Sequence, residues 1–204
     1  MQGVAQAILS RIYGHGRGWC FTPKDFADLG SAESARITLY RLVKRQTIRR
    51  LANGLYDYPR RHEQLGLLSP SPDDVARALA SRDAIRIQPT GAYAANLLGL
   101  SEQVPARIVY LTEGRARRVR LGGQEIRLKH TTPVNMETAG RIAGTVIQAL
   151  RYIGEDRITQ AHVQKLRAKL SAQDRKSLRQ DLVHAPIWVR KLLRKVCEER
   201  RPDA

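Results

Sequence analysis

The sequence predicts an α+β protein: a small N-terminal unit of three helices closed by a hairpin, a linker, and an α+β part that ends in helices. Three observations predict it. Apolar residues recur at helical spacing over residues 4–43 and again from about 135 onward. Asn53-Gly54 and Gly122-Gly123 are two-residue hairpin turn signals between apolar-alternating runs. Pro59, Pro70 and Pro72, with Arg60-Arg61 and Ser69 among them, stop helices and extend the chain. The expected boundaries are residues 1–60, a linker at 61–72, and residues 73–204.

With 204 residues the chain is long enough for one large domain or two small ones. Aromatic residues are only 5% of it, so the cores must be built from Leu, Ile, Val and Ala, which favours helix. The formal net charge is +17. Such an excess speaks to partners, not to fold, and a polyanion is the natural one. The two cysteines, Cys20 and Cys197, show no metal-type spacing, and a reducing, cytoplasmic compartment fits them. No apolar run approaches the ~18 residues of a membrane span, and the first ten residues do not resemble a signal peptide.

The N-terminal elements follow in order. Val4, Ala5, Ile8 and Ile12 give a first helix one apolar stripe, ended by Gly14, Gly16 and Gly18. Trp19-Cys20-Phe21 is a short strand. Thr22-Pro23-Lys24-Asp25 starts a second, short helix, with the cap at Thr22 and proline at the first helical position. Gly30 ends it and Ser31 caps a third. Helix, tight turn and capped helix form a helix-turn-helix.

On the third helix Ala35, Leu39, Leu42 and Val43 form the packing face. The opposite face holds Ser34, Ile37, Arg41 and Lys44, with Glu33, Thr38 and Arg45 at its edges. Such a face suits a DNA major groove: arginine bonds guanine, Ser and Thr reach either base type, and isoleucine suits a thymine methyl. The strand before Asn53-Gly54 carries Arg49 and Arg50. A basic hairpin after a recognition helix makes the unit a winged helix-turn-helix. Ser34, Ile37, Thr38 and Arg41 are the expected base readers and Arg45, Arg49 and Arg50 the phosphate contacts, with Lys44 and Asn53 also in the DNA-binding set. A protein-interaction module whose basic surface holds an acidic partner is the alternative.

In the second part, Ser71 caps a helix with Pro72 at its first position and Asp73 and Asp74 in its first turn, 84–87 alternate like a short strand, and 91–98 form a helix stopped at Gly99. Residues 107–111 are a strand, and 119–121 and 124–128 flank Gly122-Gly123. A two-residue turn points Val119, Ile126 and Leu128 inward and Arg118, Arg120, Arg127 and Lys129 outward. Arg118 then faces Arg127, a like-charge pair. A polyanion or acidic partner across it, a different register, or two arginines splayed into water account for it equally. From about 135 four helices follow, the first ending at Gly154, the others begun by Thr159, by Ser171 with Asp174, and after Pro186.

No catalytic set emerges, and neither metal nor cofactor is expected. The five histidines are dispersed, without a zinc-binding pattern. Residues 14–18 have the glycines of a phosphate loop without its GK[ST]. Asp73 with Glu125-Ile126-Arg127 faintly resembles a metal-dependent nuclease, a less favoured reading, since its lysine is replaced by arginine and Asp73 fits a helix start.

Nearly the whole chain resembles the AbiEi-type antitoxins of bacterial type IV toxin–antitoxin systems. In the first half the segments that carry this are Phe21-Thr22-Pro23-Lys24-Asp25-Phe26, Arg41-Leu42-Val43, Ile48-Arg49-Arg50-Leu51 and Gly54-Leu55-Tyr56-Asp57-Tyr58-Pro59. More specific are Pro89-Thr90-Gly91-Ala92, Ala94-Ala95-Asn96, Gln103-Val104-Pro105, Val109-Tyr110-Leu111-Thr112 and Ile147-Gln148-Ala149-Leu150. The resemblance implies a phage-defence repressor, not an enzyme, that binds inverted repeats in its own promoter, by analogy as a dimer. It also implies an antidote to a co-encoded nucleotidyltransferase-like toxin, acting through the C-terminal domain without a stable complex. One departure stands out: relatives often carry a glycine in the turn before the wing, where this chain has Gln46-Thr47.

Overall fold

A computed structural model describes residues 2–197. The chain is mixed α+β and closes in a run of helices. It divides into two compact units: residues up to Ile85 together with Val119–Ile126, and Arg86–Arg118 together with the chain from Arg127 on.

The first unit begins with α1 (Gln2–His15), β1 (Cys20–Phe21) and a 3-10 helix, Pro23–Phe26. The second helix expected from sequence is thus a single 3-10 turn. Asp25 N–H donates to the Thr22 carbonyl, Ala27 to Lys24 and Leu29 to Phe26, each at a spacing of three. The turn is held at both ends. The Asp25 carboxylate accepts from the Thr22 N–H (2.7 Å) and hydroxyl (3.0 Å). Arg11 of α1 grips Asp28 with two hydrogen bonds of 2.6 Å and the Asp25 carbonyl with a third of 2.7 Å. That grip holds the Asp28 carboxyl at about 2, well below its usual range.

Next come α2 (Ala32–Lys44), β2 (Arg49–Ala52) and β3 (Leu55–Asp57). Ser31 caps α2 by accepting from the Ser34 N–H at 3.1 Å. The three strands order as β1-β3-β2, all antiparallel. Ile8, Ile12, Phe21, Phe26, Leu39 and Ile48 fill the core, with Phe21 and Phe26 edge to face at 5.5 Å.

Three expectations about the following chain need correcting. Residues 61–72 are not a bare linker: β4 (Arg61–His62) and β5 (Gly66–Leu67) pair as a hairpin. The first unit also does not stop there. Helix α3 (Pro72–Asp83) belongs to it, packing against β1 with Val75 and Ala76 fully buried. Nor is Ala84 in a strand. It ends α3 in the left-handed region (φ 52°), and the strand begins only at Ile87.

The second unit comprises β6 (Ile87–Thr90), α4 (Gly91–Leu97), β7 (Arg107–Thr112), the β8 (Arg117–Leu121) to β9 (Gln124–His130) hairpin, and helices α5 (Ile142–Ile153), α6 (Gln160–Lys169), α7 (Ala172–Asp181) and α8 (Ile187–Cys197). Residues 119–126 at the hairpin tip count with the first unit. The strands order as β6-β7-β9-β8. Helix α5 packs on α4 and β6, and α7 and α8 complete the helical core around Val146, Leu150, Leu166, Leu178, Val189 and Leu193. Gly144 leaves room for the buried Gln88 side chain, whose amide oxygen lies 2.1 Å from where a Cβ would stand. Among the described residues no helix is long and apolar enough to cross a membrane.

Candidate nucleic-acid interface

Helix α2 buries Ala35, Thr38, Leu39 and Leu42, a spacing of i, i+3, i+4 and i+7 that makes one stripe. Thr38 was expected among the base readers and is instead in the core, because it completes that stripe. The exposed side holds Glu33, Arg36, Ile37, Tyr40, Arg41 and Lys44, followed by Arg45 at the helix end. Ser34 is half-buried, and its hydroxyl shares a 2.9 Å hydrogen bond with that of Ser31.

Among the described residues, the side chains of Arg41 and Arg45 make no hydrogen bond or ion pair. Lys44 reaches only the Tyr40 ring, its Nζ 5.7 Å from the centroid. Arg36 is paired with Glu33 at 2.9 Å. Sequence reasoning did not single out Tyr40. Its 61% exposure is what marks it, and the helical period alone places it beside Ile37.

The turn from α2 into the hairpin uses Gln46 in the left-handed region, φ 56°. The Thr47 N–H donates to the Leu42 carbonyl and the Gln46 N–H to that of Val43, the bonding of a Schellman cap. Glutamine therefore stands where glycine is usual, and the connection keeps the geometry that glycine gives.

At the other end of the hairpin Asn53-Gly54 forms the expected two-residue turn, with Ala52 opposite Leu55 and Gly54 at φ 66°. The register then slips at Leu51, so that Arg50 faces Tyr56 and Arg49 faces Asp57. Asp57 is only 1% exposed, and Arg49 binds it through Nε (3.0 Å) and Nη2 (2.6 Å), with Nη2 also on the Leu68 carbonyl. Arg49, expected on phosphate, thus neutralises a buried carboxylate. Arg50 is exposed, its Nη2 held 3.0 Å from Asn53 Oδ1 at the tip.

Between α2 and this hairpin lies a groove of about 620 Å³, lined by Ile37, Tyr40, Val43 and Tyr56 with Arg50 and Asn53 at its polar side. The structure thus brings Ile37, Arg50 and Asn53 together around one concavity.

On the β8–β9 hairpin Val119, Ile126 and Leu128 are buried, as the two-residue turn requires. Arg118, Arg120 and Lys129 are exposed and Arg127 is half-buried. Arg120 lies 3.8 Å from Glu125, the residue that a two-residue turn at Gly122-Gly123 sets opposite it. Among the described residues no group of three or more His, Cys, Asp or Glu side chains is placed to hold a metal ion.

Comparison with known proteins adds a family. Residues 7–178, most of the chain, match the family described as "Family of unknown function (DUF6088)". The chain belongs to DUF6088. No curated protein matches this DUF6088 chain. A solved structure similar to it is the crystal structure of the RV2827C protein from Mycobacterium tuberculosis. The two share 16% identity at a TM-score of 0.43, over 89% of this chain and 73% of that one.

Proposed function

We propose that the first unit is a winged helix-turn-helix that binds duplex DNA, with α2 in the major groove and the β2–β3 hairpin as its wing. One observation carries this reading. The exposed side of α2 aligns Arg41, Lys44 and Arg45, none engaged with an acid among the described residues, next to a hairpin that projects Arg50 and Asn53. Cations held out on a rigid helix serve no packing need, and they match the phosphates and base edges of a duplex in charge and reach. Arg41 is the base reader, Lys44, Arg45 and Arg50 are the phosphate contacts, and Ile37 meets an apolar base edge.

The resemblance to AbiEi-type antitoxins extends the proposal. The protein represses its own promoter at inverted repeats, and its second unit supports an antidote role against a co-encoded nucleotidyltransferase-like toxin without a stable complex. Fluorescence anisotropy on the DNA upstream of its own gene and on a shuffled duplex tests the DNA reading. Tighter binding to the upstream duplex, weakening as salt rises, is the expected result. Equal, weak binding to both overturns it.

A further inference from the structure

We infer that the groove between α2 and the β2–β3 hairpin seats one strand of the duplex, with thymine 5-methyl groups against Ile37 and Tyr40 and a phosphate at Arg50. This rests on the DNA reading above. It adds a residue to it, Tyr40, and a base preference.

Ile37 is 39% exposed and Tyr40 61%, on a helix side otherwise made of charged residues. Neither is needed by the core, where Ile8, Ile12, Phe21, Phe26 and Leu39 are wholly buried. Single exposed apolar residues are ordinary on protein surfaces. These two are not single: they stand three residues apart on one helix side and run on through Val43 to Tyr56 along the floor of one groove.

The occupant must therefore offer apolar groups beside negative charge. A strand of B-DNA does. The thymine methyl is the apolar group that the major groove displays, and deoxyribose C–H groups and phosphates flank it. Two arginines, Arg36 and Arg50, line the groove itself, Arg36 paired with Glu33, and Lys44 stands just outside it. Arg50 is steadied at the hairpin side by Asn53, and Lys44 lies over the Tyr40 ring on the helix side. Arg41 and Arg45 continue the positive strip along α2 beyond the groove, as a long polyanion requires and a short acidic segment does not.

The test starts from a randomised duplex library. The tightest-binding duplex selected by the full chain is resynthesised with each thymine replaced in turn by deoxyuridine, which removes only the 5-methyl group. The expected result is a loss of about fourfold in affinity at one or two positions, the ratio that burial of one methyl group is worth. Ile37→Ala and Tyr40→Ala should bind the thymine and uracil duplexes alike at those positions. Tyr40→Phe should keep the discrimination, since the ring and not the hydroxyl is used. Both side chains are exposed, so unchanged thermal melting of each variant shows that the fold is intact. Specific binding that no deoxyuridine alters, or a loss that persists in both alanine variants, overturns the inference and leaves the DNA reading standing. Selection that enriches no sequence overturns both.

Discussion

Arg41 and Arg45 on α2 and four arginines of the closing helices, Arg167, Arg175, Arg179 and Arg190, are the same residue type put to different uses. In the second unit several guanidinium groups are tied to backbone carbonyls at or next to helix ends. Arg175 donates to the Arg167 and Leu170 carbonyls at the close of α6 (3.2 and 3.0 Å). Arg167 reaches the Lys195 carbonyl and Arg179 that of Cys197, both in the last turn of α8. Arg190 holds the Val183 and Ala185 carbonyls just before α8. The last carbonyls of a helix lack intrahelical partners and carry its negative pole, so arginine there stabilises the bundle. On α2, the Arg41 and Arg45 side chains have no hydrogen-bond or ion-pair partner among the described residues. Net charge does not separate the two uses; the hydrogen-bond partners of each cation do.

The comparison can be broken by mutation, and the largest effect is expected where a cation neutralises a buried acid. Arg49→Ala leaves the Asp57 carboxylate buried without its partner and should cost about 3–5 kcal/mol of stability, read as a lower urea midpoint. Arg175→Ala frees two carbonyls and should cost about 1.5–3 kcal/mol by the same assay, with DNA affinity unchanged. Arg41→Ala should behave in the opposite way. It should cost about 1–3 kcal/mol of binding, focused on one base position, while stability stays within about 0.5 kcal/mol. The smallest effect sharpens the picture of the turn that presents the hairpin. Gln46→Gly should raise stability by about 0.5–1 kcal/mol, because relief of left-handed strain is offset in part by the greater unfolded-state freedom of glycine. A loss of stability in that variant would mean that the turn does not adopt the left-handed cap.

Much of the fold was legible because its signals are local. The caps at Ser31, Ser71 and Ser171 and the turns at Asn53-Gly54 and Gly122-Gly123 each depend on residues a few positions apart. The errors arose where the deciding interaction is distant or adds one residue. Arg49 looked like a wing cation because it stands beside Arg50 in the strand before Asn53-Gly54, where a regular ladder sets Arg50, not Arg49, opposite Asp57. The bulge at Leu51 reverses that, and no residue type announces it. The linker ended in the wrong place because α3 is held by contacts with β1, some fifty residues earlier in the chain. Thr38 was a different kind of miss. Its position three residues after Ala35 and four before Leu42 already put it on the core stripe, but its polarity drew it to the outer face. The same polarity bias passed over Tyr40.

The most direct test of the α2 assignment is the slope of log affinity for duplex DNA against log salt, in the full chain and in the Lys44→Ala/Arg45→Ala double variant. Each lost phosphate contact should flatten the slope by about 0.9, so the double variant should lie about 1.8 below the parent. An unchanged slope would place the phosphates elsewhere on the protein and contradict the assignment of α2 and its hairpin as the DNA-binding face.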